Sequence, residues 1–367
     1  MVTADKSFQL FGCKYISGQL KKLCSEMDGA RIEKEVESVH QSRVASRRLR
    51  TAFEVFASCF PDKSVKKWSS EVKKLTKGLG AARDADVQVM HLKEILSGLD
   101  VEQRSFKPGI ERMILRAGQH RGNLQRGVVK TIDRLESRTV LADIHSTVER
   151  TMFCLRNESR EYKSDYVFRT CKKHIVSNLD SMRSYESSLI DSSDRPSHHQ
   201  MRIEAKKLRY TLEICSEPYD GGLEESLKTV KKIQSLLGDI HDCDVWAEYI
   251  DGFMGEELER TRAYFGNEVP YYLLLPGLEY IRQLHENKRN AIFEQLCDYW
   301  ADLQEAKVWD ELLAVLNKRL ENTITAKPEI IEIQDTKETP PNGQNTQISL
   351  ALRGYSREFS GDEGGNQ

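Results

Sequence analysis

The chain has 367 residues, 31% charged and 39% hydrophobic, with a mean hydropathy of -0.57 and a formal net charge of -2. That length allows two modest cores or one shared core, and no apolar run approaches the roughly 20 residues that a membrane-spanning helix needs. The eight cysteines include no C-x-x-C pair, which argues against a zinc ribbon and for small buried thiols in a reducing compartment.

Periodicity predicts helix almost throughout. The start, MVTADKSFQL, lacks a signal peptide's apolar stretch, so the cytoplasm or another internal compartment is expected. Helices are expected over 6–27, 33–59, 63–97 (broken near Gly78 and Gly80) and 106–155. A second set follows over 163–191, 197–217, 223–263 (irregular near Gly238) and 276–305, with a short one at 307–322. Pro61, Pro108, Pro196, Pro218, Pro270 and Pro276 fall between these segments, where proline punctuates helices. No run of alternating β-branched residues competes, so the reading is all-α, with four long helices in each half. Residues 328–367 carry seven acids against three bases and end in GDEGGNQ. A disordered acidic tail over 326–367 is the expectation, after a first half at 1–160 and a second at 161–325.

The second helix of each half carries a repeat. HQSRVASRRLR at 40–50 recurs as HQMRIEAKKLR at 199–209, with His40, Arg43, Leu49, Arg50 and Glu54 matching His199, Arg202, Leu208, Arg209 and Glu213. Arg47 and Arg48 become Lys206 and Lys207, so charge is kept. VKKLTKGLGAARDADV at 72–87 recurs as VKKIQSLLGDIHDCDV at 230–245, with Gly80, Asp84 and Asp86 on Gly238, Asp242 and Asp244. Two ordered motifs at nearly one offset imply a duplication and a pseudo-twofold molecule.

On a helical wheel with His40 at zero, Arg43, Arg47 and Arg50 fall near about 300°, 340° and 280°, opposite Ala45, Leu49, Phe53 and Phe56. His199, Arg202, Lys206 and Arg209 repeat the stripe against Leu208, Leu212 and Cys215, with Arg48 and Lys207 at its borders. An ordinary charge run is a solvated face balanced by acids one turn away. Here no acid lies between His40 and Arg50, and in the second copy only Glu204 intervenes, on the packed side. Glu54 and Glu213, one turn later, are placed to clip Arg50 and Arg209. Like charges at this density destabilise their helix unless an anion neutralises them. The stripe is about 15 Å long at the helical rise, too long for one phosphate, and guanidinium forks suit phosphate oxygens. Only Tyr210 is interleaved as an aromatic, so base stacking has little support and an inorganic chain is favoured over RNA.

These motifs resemble those of the CHAD family, the conserved histidine α-helical domain. The similarity spans roughly residues 5–320. It implies two four-helix bundles related by a pseudo-twofold, a basic central channel, and binding of inorganic polyphosphate by a stand-alone module without catalysis, associated with polyphosphate deposits. By motif position the binding residues would be His40, Arg43, Arg47, Arg50, His199, Arg202, Lys206 and Arg209, with Arg48 and Lys207 flanking. Nothing resembles the acidic β-barrel of the triphosphate tunnel enzymes to which some members are fused. No cofactor is implied.

Two alternatives stay open. A metal-dependent phosphohydrolase or metal-chelating module would draw on Asp84, Asp86, Asp242, Asp244 and His241, but the first copy has Arg83 where the second has His241, and an arginine cannot ligate a metal. Gly80 and Gly238 are expected to relax the backbone, and Asp84 and Asp242 to cap a helix restart or to pair with arginines. A nucleic-acid-binding helical protein is the other alternative. Arg112, Arg116, Arg121, Arg126 and Lys130 are further candidates for an outer basic rim.

Overall fold

The structure, a computed structural model, describes residues 5–32, 35–155 and 163–325. The expected tail at 326–367 lies outside them. The described residues hold helices and no strand.

Local chemistry accounts for where the helices begin. In α1 (Lys6–Ala30) the Asp5 side chain accepts from Phe8 N–H, and Phe8, Phe11, Ile16, Leu20 and Leu23 form a buried stripe. Next come α2 (Val36–Val55) and, after Pro61, α3 (Asp62–Gly98). Pro108 sits in the first turn of α4 (Lys107–Ser137), which precedes α5 (Val140–Leu155). Ser164 caps α6 (Asp165–Arg183) and Asp194 caps α7 (Arg195–Cys215). The longest helix, α8 (Glu224–Phe265), stops at Gly266, whose φ of 69° is the left-handed conformation that glycine adopts freely. A single turn, α9 (Val269–Tyr272), leads to α10 (Leu275–Glu305) and α11 (Val308–Thr325).

Three expectations are corrected. The helix expected over 106–155 is two helices, because Thr139 turns the chain at φ 54°. Leu135 and Val140 are both buried, yet residues five apart on one straight helix lie about 140° from each other, so the apolar stripe continues only if the chain turns. Conversely, α3 and α8 run unbroken through Gly78, Gly80 and Gly238. These glycines give sideways clearance: a Cβ on Gly78 would stand 2.6 Å from Thr131 Oγ1 of α4. The ends expected near 59 and 191 also fall short, at Val55 and Arg183, each followed by a short 3-10 turn.

Packing repeats between the halves. In the first, α2 lies between α1 and α3, α4 covers α3, and α5 covers α1; in the second, α7 lies between α6 and α8, α10 covers α8, and α11 covers α6. The halves share their core: one buried cluster runs from Phe8 and Phe53 through Ile175 and Leu212 to Leu316. A second cluster around Leu92, Ile110, Trp246 and Leu278 fills the other end. All eight cysteines are free thiols. Among the described residues, no helix is long and apolar enough to cross a membrane.

Candidate anion-binding site

The two stripe helices, α2 and α7, pack against one another. Each buries the face that the wheel assigns to the core: Val39, Ala45, Leu49 and Phe53 on α2, and Met201, Ala205, Leu208 and Leu212 on α7. The cationic faces are left half-buried; only Lys207 among the ten candidates is exposed.

Arg43 and Arg202 occupy matching surroundings. The Arg43 guanidinium passes over Gly80, whose added Cβ would stand 3.7 Å from Nε, and Arg202 passes over Gly238 at 3.8 Å. Arg43 Nη2 lies 3.9 Å from Asp84 Oδ1 and Arg202 Nη2 lies 3.7 Å from Asp242 Oδ1. The Nε groups of both arginines are buried without a hydrogen-bond acceptor. The two aspartates therefore pair with the stripe and restart no helix, and an added Cβ at 80 or 238 would lie in van der Waals contact with the guanidinium.

The stripes act on each other electrostatically. The Lys206 ammonium is pushed down to about 7, first by burial and then by the guanidiniums of Arg202, Arg47 and Arg43, with Asp242 opposing them. Burial, then Arg47, also lowers Arg43. Arg202 is lowered by burial and by Arg47, against Asp242. Two of these four cations come from each half, so the stripes meet in one cationic cluster.

Three outer cations are already engaged. Glu213 accepts from Arg48 Nε at 3.1 Å and from Arg209 Nε at 2.9 Å, so it joins the two halves as well as clipping its own helix neighbour. Lys207 Nζ donates to Glu204 at 2.7 Å. Glu54, the counterpart of Glu213, is raised by burial against the pull of Arg50 and Lys207. Arg48, Arg209 and Lys207 are thus neutralised by carboxylates, whereas Arg47 and Lys206 at the centre of the stripes have no ion-pair partner among the described residues.

The histidines stand at the stripe ends. His40 is lowered by burial and by Arg83, and His199 by burial, Arg202 and Lys206. His199 Nδ1 lies 3.1 Å from His241 Nδ1, and burial beside Arg202 takes His241 down to about 4, so both imidazoles are neutral near pH 7 and one ring donates to the other. They line a cleft of about 490 Å³ with Arg195, Gln200 and Glu248. Among the described residues, no group of three or more His, Cys, Asp or Glu side chains is arranged to hold a metal ion.

Sequence reasoning missed the partners of the remaining acids. Asp86 accepts from Arg121 Nε and Asp244 from Arg289 Nε, each at 2.6 Å and each buried, which ties α4 to α3 and α10 to α8. Arg112 and Arg116 bond the buried Glu257 at 3.3 and 2.7 Å. Three of the expected rim cations are therefore cross-helix struts; Arg126 and Lys130 are exposed.

An all-α domain whose two basic helix faces meet in a half-buried seam is the class that this geometry defines. The family model of the CHAD domain matches residues 14–251, which contain both stripes, and the chain belongs to that family. It is similar in fold to the crystal structure of the CHAD domain from the plant Ricinus communis, with a TM-score of 0.57 and 19% identity over 82% of this chain and 92% of that one. PptA from Streptomyces chartreusis gives a TM-score of 0.49 and 16% identity over 80% of this chain and 99% of that one. No curated protein sequence matches this chain.

Proposed function

We propose that this chain is a non-catalytic binding module for linear inorganic polyphosphate. The observation that carries the reading is the meeting of Arg43, Arg47, Arg202 and Lys206, drawn from two helices, with Asp84, Asp242 and Asp239 as nearby acids. Cations crowded together while half-buried raise the free energy of the unliganded site, and a multivalent anion relieves that cost. His40 and Arg50 at the ends of one stripe, with His199 and Arg209 on the other, extend the seam into a basic channel. In the compartment where the protein works, it would associate with polyphosphate deposits.

The alternatives draw less support. A metal-dependent phosphohydrolase would use free carboxylates, yet Asp86 and Asp244 are bonded to buried arginines and Asp84 and Asp242 face stripe arginines. For nucleic acid, Tyr210 is the aromatic beside the stripe, and it already carries the Arg209 guanidinium 5.7 Å above its ring.

The test is a competition gel shift between polyphosphate and RNA of equal charge, repeated across a salt series. Polyphosphate should win, and its log affinity should fall with log salt by several units if about six phosphates are neutralised, by analogy with the slope of ~0.7 per contact of single strands. RNA winning, or a flat salt response, overturns the proposal. Incubation of the protein with polyphosphate and magnesium should release no orthophosphate above background.

A further inference from the structure

Lys206 is the one non-arginine of the central four, and its counterpart in the first half is Arg47. It faces Arg202 and His199 from its own helix, Arg43 and Arg47 from α2, and Asp242 and His241 from α8. Its neighbour Lys207 is neutralised by Glu204 at 2.7 Å, whereas Lys206 makes no hydrogen bond or ion pair among the described residues. An amine in that position meets three guanidiniums, against which the Asp242 carboxylate pulls the other way.

We infer that Lys206 is the proton-accepting residue of the site: half-buried, without a hydrogen-bond or ion-pair partner and crowded by cations of both stripes, it releases its proton readily in the free protein, holds it when a polyanion fills the seam, and so makes capture of the polyanion take up a proton above neutral pH. This inference rests on the polyanion-binding reading and adds a regulation to it. The free amine stands at about 7 because burial and like charges disfavour its ammonium. Phosphate oxygens laid against it reverse the electrostatic cause and return it toward the ordinary lysine value of about 10. Between those two values the bound state holds about one proton more than the free state, so affinity falls about tenfold per unit rise in pH. Below the lower value the free amine is already charged and the dependence vanishes. Arg47 cannot do this, since a guanidinium keeps its proton throughout. The duplicated seam thus has one permanent and one titratable cation at matched positions.

The experiment is calorimetry of the full chain with polyphosphate of one defined length, in buffers of low and high ionisation enthalpy. At about pH 8 the histidines stay neutral and the amine does not, which isolates Lys206. Wild type should take up about one proton per site, and Lys206→Arg should bind with that uptake abolished and with affinity nearly flat from about pH 7 to 9. Protons exchanged by the ligand's own end groups are common to both proteins and cancel in the difference. Arg47→Lys, which creates a second titratable position, should increase the uptake. Equal uptake by wild type and Lys206→Arg, with both binding, overturns this inference and leaves the binding reading standing. Absence of binding at every pH overturns the binding reading and the inference with it. Circular dichroism of each variant excludes misfolding as the cause of a lost signal.

Discussion

Gly109 of α4 and Gly277 of α10 touch reciprocally where the two halves cross: a Cβ on either would stand 3.1 Å from the other's Cα. The added atom on Gly109 would collide with the Leu274 carbonyl, and that on Gly277 with the Phe106 carbonyl. Phe106 and Leu274 are themselves counterparts, 168 residues apart, as are the two glycines. The contact is therefore two-sided. Phe106 stacks on Tyr280 beside it, with ring centroids 4.5 Å apart.

Gly109→Ala and Gly277→Ala should each destabilise the fold by about 2 kcal/mol, because backbone on the far side has no rotamer with which to yield. The gain of up to ~1 kcal/mol in helix propensity from glycine to alanine is set against this and is smaller. Gly98→Ala, at a position with open space around it, is the control and should be neutral or stabilising. Denaturant unfolding of the three variants reads the difference; equal stability would mean that the helices separate at no cost.

Glu213 predicts an exchange of stability against affinity. It holds Arg48 and Arg209 by charge-assisted hydrogen bonds while its side chain is 13% exposed. Glu213→Gln should lower stability by about 1 to 2 kcal/mol. It should also release two cations into the seam and tighten polyphosphate binding about threefold or more at low salt. Stability comes from chemical denaturation and affinity from calorimetry. A variant that loses both stability and affinity would assign Glu213 to positioning the arginines for the ligand.

The stripes were legible because their chemistry is local: a helix repeats every 3.6 residues, so the cations of 40–50 and 199–209 sort onto one face without knowledge of the fold. Their meeting was legible only through the repeat. The struts Arg121–Asp86 and Arg289–Asp244 were not, since each joins helices 35 or 45 residues apart in sequence, and an arginine in a basic helix looks the same whether it faces water or a buried carboxylate. A signal was present. Arg121 and Arg289 are 168 residues apart, as are Gly109 and Gly277, and Thr139 and Lys307, the two residues whose positive φ turns the chain before α5 and α11. The offset changes from 158 to 168 between Asp86 and Phe106, where α8 runs on past the counterpart of the end of α3, with α9 standing where the first half has the 3-10 turn Glu102–Phe106, and that shift hides the third stretch of the repeat.

Lys206 makes the unliganded protein sensitive to pH. Its value in the folded state, about 7, lies below the ordinary 10.5, so the unfolded chain holds the proton more tightly between those limits. Stability should therefore rise as pH increases through that window, and this contribution should disappear below it in slope while remaining as a fixed cost. Lys206→Met removes the group and should stabilise the protein by about 2 kcal/mol near neutral pH, with the rising slope lost. Thermal melts of both proteins across the window test this. A methionine variant that melts lower would show that the ammonium contributes to the fold.

The final prediction concerns whether the halves form one site. Arg47 depresses both Arg202 and Lys206 across the seam, which requires that a ligand neutralising one stripe is felt by the other. Arg47→Gln and Arg202→Gln should then be non-additive in polyphosphate affinity, with a coupling of about 1 kcal/mol or more, against the ~0.3–0.5 kcal/mol scatter of independent sites. The same geometry governs ligand length. With Arg48 and Arg209 held by Glu213 and Lys207 by Glu204, affinity should climb steeply from pyrophosphate to tripolyphosphate and further for chains that run the length of the stripes, each about 15 Å from end to end, then level off. Charge reversal in one half alone, Arg47→Glu or Lys206→Glu, should erase most of the long-chain advantage. Calorimetry over a length series with these variants decides it: additive losses, or equal affinity per site for tripolyphosphate and long chains, would mean two separate sites in place of one seam.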